Sequence, residues 1–129
     1  MVAIACGTQP PVQKLAKDAE PVGSWIATLQ MTAEKWGSNS VPAHFARDTV
    51  KSAAKQLEKA ATTADESPAP PAVRDPLRQL ITQSRAATSD FQRVIAAGDR
   101  RRASDAAARF QALGDAFDHW QQTAESRSP

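Results

Sequence analysis

Apolar residues recur at alternating steps of three and four in four separate stretches of the chain, the spacing that lines one side of an α-helix. Ile26, Leu29, Ala33 and Trp36 form the first stripe, with Trp25 on its flank. Ala43, Ala46, Val50, Ala53, Leu57 and Ala60 form the second, which is mostly alanine and lets a neighbouring helix approach closely. Phe45 lies off that stripe. Leu77, Leu80, Ser84, Ala87, Phe91 and Val94 form the third, flanked by Ile81 and Ile95. Ala103, Ala106, Phe110, Leu113, Phe117 and Trp120 form the fourth and most regular.

The residues between the stripes set the helix boundaries. Pro21 suits the first position of the first helix, with Asp18 and Glu20 near its positive end. Gly37, Ser38 and Asn39 end it. Ser40 is the expected N-cap of the second helix, with Pro42 in its first turn. The Pro-rich stretch 63–74 reads as a long connector, and Asp75-Pro76 as the start of the third helix. Gly98 supplies the left-handed residue that closes the third helix, and Asp99 is placed to cap the fourth. The last residues, from 127 onward, fray.

Helices with a single apolar side are unstable alone and must bury their stripes together. Short connectors make successive helices antiparallel neighbours. The predicted fold is therefore all-α, an antiparallel up-down-up-down four-helix bundle over 21–126. Residues 1–20 are read as a residual signal segment followed by a flexible tether, in which Gln13 to Ala19 form at most a turn or two between prolines.

Composition narrows the chemistry. A length of 129 residues fits one domain. The net charge of +2 is too small for a nucleic-acid face, so no nucleic-acid partner is expected. No apolar run is long enough to span a membrane. The single cysteine, Cys6, excludes an internal disulfide and any zinc site built from several thiolates. His44 and His119 stand near opposite ends of the predicted bundle and cannot share a metal. No Glu-x-x-His motif supports a di-metal carboxylate site. Asp75, Asp90, Asp105, Asp115 and Asp118 fall at caps or on polar faces. Ser84 falls in a core stripe, where its hydroxyl is expected to bond back to its own helix. Arg100-Arg101-Arg102 is the one notable charge cluster, read as a solvated turn pairing with Asp99 and Asp105, or else as a contact for anionic headgroups or an acidic partner. No catalytic residues, metal ligands or cofactor are expected, and the chain reads as a non-enzyme.

The first residues, Met1-Val2-Ala3-Ile4-Ala5-Cys6-Gly7, end an apolar run in a small residue followed by cysteine, ahead of the polar, Pro-containing Thr8-Gln9-Pro10-Pro11. This resembles the lipobox of bacterial lipoprotein signal peptides, with Ala3 where that pattern has leucine. The resemblance implies that Cys6 is lipidated, that Met1 lies inside a longer signal sequence, and that the protein is anchored on the periplasmic side of a bacterial membrane.

The last two stripes carry a second resemblance. The helix-Gly98-helix junction, the Ala-rich start of the fourth helix and Phe110-x-x-x-Gly114 resemble the periplasmic four-helix haem cytochromes, both the soluble b-type bundle and cytochrome c-prime. In the c-prime group the equivalent of Phe117 to Gln121 holds Cys-x-x-Cys-His, and both cysteines and the histidine are replaced here. In the b-type group the axial His and Met correspond to Asp118 and Trp25. Met31 and His119 lie off the apolar stripes and are expected on the solvent side. The resemblance thus implies a cell-envelope bundle that has lost its haem and serves a structural role or binds an unidentified protein partner. A haem- or metal-binding periplasmic bundle using these exposed residues, and a cytosolic helical interaction module in which Cys6 is an ordinary thiol, stay open as alternatives.

Overall fold

The computed structural model describes residues 10–127. Pro10 and Pro11 open its first helix. Proline lacks the N–H that a first turn leaves unused, and its fixed φ suits that position. α1 runs over Pro11–Asp18, and the Pro10 carbonyl accepts the Lys14 N–H. A Lys14–Asp18 pair at 2.8 Å spans one turn of it. After a bend at Ala19 come α2 (Glu20–Gly37), α3 (Ala43–Asp65), α4 (Pro71–Ala97), a 3-10 turn (Arg100–Arg102) and α5 (Ala103–Ser126). No strand occurs among the described residues.

The four long helices pack around one core in the ring order α2, α3, α4, α5, with α5 closing back on α2. All four predicted stripes supply it. Ile26, Leu29, Val50, Leu57, Phe91 and Phe110 are almost fully buried. Two departures shift a stripe by one position: Ile95 is buried where Val94 is partly exposed, and Ala107 is buried where Ala106 is partly exposed. Thr88 was not anticipated in the core. It tolerates burial because its hydroxyl donates to the Ser84 carbonyl at 2.7 Å.

The N-terminal segment is a larger departure. Residues 11–18 are not tether: Leu15, Ala16 and Ala19 are buried, and α1 packs against α2, α3 and α5. Leu15, Ala19, Val22, Ile26, Leu29, Ala33 and Trp36 form one continuous series of four- and three-residue steps. The first stripe thus starts three turns earlier than predicted, because Pro10 and Pro11 mark a helix start rather than a break.

The same chemistry corrects two other boundaries. α4 starts at Pro71, five residues before Pro76, and the Pro70 carbonyl accepts the N–H groups of Val73 and Arg74, both at 2.9 Å. Pro76 sits inside the helix and leaves the Ala72 carbonyl without its usual donor, but Ala72 is exposed and water is at hand. The early turn places Val73 in the core and presents its carbonyl to the indole N–H of Trp120 at 2.8 Å. Ser40 does not cap α3. Proline disfavours helical backbone in the residue before it, so Val41 stays outside the helix and extended Pro42 becomes the N-cap. The Ser40 hydroxyl instead lies 2.9 Å from that of Ser38.

Gly98 behaves as expected: its φ of +67° reverses the chain, and Asp99 N–H reaches back to the Val94 carbonyl at 3.1 Å. Gly23 has a different reason. A Cβ there would lie 2.7 Å from the ring of Phe117, so the missing side chain is what lets α2 and α5 approach.

Candidate functional site

The end of the bundle where α2 stops and α5 begins carries the densest side-chain chemistry. Trp36, Phe91 and Phe110 come from three helices. Their rings meet edge to face, with centroids 6.2 Å apart for Trp36–Phe91 and 5.9 Å for Phe91–Phe110. Half-buried Arg100 closes this column. Its guanidinium carbon stands 4.8 Å from the Trp36 ring centroid, and its Nη1 donates to the Trp36 carbonyl. That carbonyl belongs to the last turn of α2, where the helix dipole is negative, so cation–π attraction, hydrogen bond and dipole act together. The Trp36 indole N–H is buried without a partner, and so is the Ser84 hydroxyl.

The arginine cluster therefore divides. Arg100 is a structural clasp, Arg102 pairs with Asp99 at 3.5 Å, and Arg101 is exposed. The expected pairing with Asp105 does not form among the described residues, and Arg100 turns inward onto Trp36. The expected back-bond of Ser84 also fails to form. The nearby carbonyl-directed bond is made by Thr88, and the buried Ser84 hydroxyl has no partner among the described residues.

The remaining sequence-predicted residues are scattered. Cys6 lies outside the described residues. His44 is exposed in the first turn of α3, and Met31 is half-exposed on α2. Asp118 is exposed in the groove between α2 and α5. Trp25, its expected counterpart, is only partly buried. His119 is exposed, but it stands at the rim of a cleft of about 370 Å3 between the first turns of α4 and the last turns of α5, walled by Val73, Pro76, Leu80 and Trp120. The sequence reading placed His119 on the solvent side and missed this cleft, since the early start of α4 creates one of its walls. No three His, Cys, Asp or Glu side chains converge closely enough to hold a metal ion among the described residues. No helix there is long and apolar enough to cross a membrane.

These positions do not fit a haem. Asp118 is an exposed carboxylate and Trp25 a partly buried indole, and neither is a haem ligand. What the geometry offers is a sealed core with clefts between helices. No protein-family model, no curated protein and no solved structure matches this chain.

Proposed function

We propose that the four long helices run up-down-up-down, and that the protein is a non-enzymatic cell-envelope lipoprotein. In this reading it is a cytochrome-like bundle without haem, held to the periplasmic side of a membrane through acylated Cys6. It acts structurally or by binding a protein partner. The alternating direction is supported at the α2/α5 and α4/α5 seams by contacts in which rising numbers on one helix meet falling numbers on the other, and at the α3/α4 seam by a pair joining the end of one helix to the start of the next. Gly23 lies at Phe117 while Gly37 lies at Ala103, Asp65 pairs with Arg78, and Asp90 pairs with Arg109 while Val73 meets Trp120.

The observation that carries the functional reading is that Asp118 and Trp25, the positions where the resemblance would need axial ligands, are an exposed carboxylate and a partly buried indole. Mass spectrometry of the native protein tests the anchor. Diacyl or triacyl Cys6 is expected, and an unmodified Cys6 thiol overturns it.

A second reading, haem or metal binding, draws on His119 at the rim of the apolar cleft beside Trp120. Titration with haemin separates the two. The first reading expects no stoichiometric sharp Soret band, and its appearance together with its loss in His119→Ala establishes the second.

A further inference from the structure

The net charge of +2 conceals a segregation of charge across the bundle. On α3, Arg47, Lys51, Lys55 and Lys59 recur at four-residue intervals, and all are exposed. None of them forms an ion pair with a carboxylate among the described residues, and neither does Arg85 on α4. Lys51 and Lys55 share with Arg85 a groove of about 560 Å3 between the two helices. Ala54 and Ala86 keep the groove open between these longer side chains, while Thr82 and Ser89 add hydroxyls. Glu58 is the one carboxylate in its lining, which leaves an excess of two positive charges.

A set of acids without neighbouring cations stands elsewhere. The groove between α2 and α5 contains Glu20, Asp115 and Asp118 and no lysine or arginine. In the ring order of the helices it lies on the opposite side of the molecule. A bundle is roughly two helix diameters, about 20 Å, across, and physiological salt screens exposed charges beyond about 8 Å. The acidic groove therefore does not offset the basic one.

Two ammonium groups and a guanidinium around an open groove are suited to a phosphate dianion, which accepts several charge-assisted hydrogen bonds at once, and the Thr82 and Ser89 hydroxyls stand about two turns apart along its α4 wall. We propose that the α3/α4 groove is a binding site for a phosphate-bearing ligand, with Lys51, Lys55 and Arg85 as its anchoring cations. The site rests on side chains of the bundle alone, so it stands or falls independently of Cys6 acylation and of haem.

The test titrates the full chain with inorganic pyrophosphate, followed by calorimetry and by amide chemical shifts. In parallel, vesicles of phosphatidylglycerol in phosphatidylcholine are compared with phosphatidylcholine alone. Saturable binding is expected, with shifts confined to the groove. The pair Lys55→Gln and Arg85→Gln is expected to weaken it by at least about tenfold, since two charge-assisted contacts are lost. Lys51→Gln alone should give a smaller loss. The control pair Lys17→Gln and Arg101→Gln, outside the groove, should stay within about twofold. All the substituted positions are exposed, and an unchanged thermal midpoint checks the fold. Capture by the anionic vesicles, reversed by pyrophosphate and lost in the groove variant, identifies a lipid headgroup as the source. Pyrophosphate binding without vesicle capture identifies a soluble phosphate ester. Absence of saturable binding to either probe overturns the proposal. So does equal weakening by the groove and control pairs, or salt-sensitive self-association in place of binding.

Discussion

Arg100 joins a loop to a helix end that lies 64 residues away in sequence. Its neighbours Arg101 and Arg102 have the same side chain and adjacent positions, so they separate specific docking from mere charge. Arg100→Ala removes a charged hydrogen bond, a ring contact and a favourable charge at the end of α2. It should lower unfolding free energy by about 1–2 kcal/mol, whereas Arg101→Ala should stay within about 0.5 kcal/mol. Urea denaturation of the two variants checks this, and equal effects would mean that Arg100 is no clasp. Ser84 makes the opposite case. Its hydroxyl is buried and unpaired, and such a group costs about 1–3 kcal/mol. Ser84→Ala should therefore raise the thermal midpoint, and a lowered midpoint would reveal a bond partner for the hydroxyl. The run of three arginines and the position of Ser84 were visible in the sequence. Their roles were not, because each depends on what a distant helix presents.

At the scale of elements, proline is the residue whose meaning depends most on context. Pro10, Pro11, Pro21, Pro70 and Pro71 all stand at or next to helix starts, although a proline-rich stretch read alone looks like a break. The four stripes needed no such context, because a repeat of three and four over three to five turns matches the helical period. The start of α4 was hidden by two competing signals. Asp75-Pro76 is a good local start, but it would leave Val73 outside the helix, where it could not enter the core or meet Trp120. α1 was hidden because its short stripe has only Leu15 as a large apolar side chain. Its membership in the core makes a clear prediction. Leu15→Ala should cost about 2–5 kcal/mol in unfolding free energy, as buried leucines do, whereas a tether residue would cost nothing measurable. A thermal or urea midpoint equal to that of the unmodified protein would return residues 11–18 to a tether.

Across the whole molecule, the ion pairs join neighbouring elements at a few points and leave two opposite grooves unneutralised. Asp90 is the main tie between α4 and α5, with Arg109 at 2.7 Å and Arg93 at 2.6 Å. The hydrogen bond from Arg109 holds the Asp90 carboxyl below its ordinary value of 3.8; desolvation opposes it, and the hydrogen bond from Arg93 and the charges of both arginines add to the lowering. A carboxylate whose pKa is lowered on folding stabilises the folded state above the unfolded value and loses that contribution as pH falls through the folded one. The thermal midpoint should therefore fall as the pH drops below that ordinary value, and Asp90→Asn should flatten the fall. An identical acid profile in the variant would remove Asp90 from the account. The acidic and basic grooves themselves were not legible in the sequence. Lys51, Lys55 and Arg85 look like ordinary solvated charges until α3 and α4 are laid side by side.

The central claim is that the midsections of all four long helices share one sealed core, which leaves function to the surface. Native-state hydrogen exchange tests it most directly. The amides of Ile26–Ala33, Val50–Leu57, Leu80–Phe91 and Phe110–Phe117 should exchange with one common opening free energy, equal to the global unfolding value. Rapid exchange in the middle of any one of these helices, while the others remain protected, would contradict it.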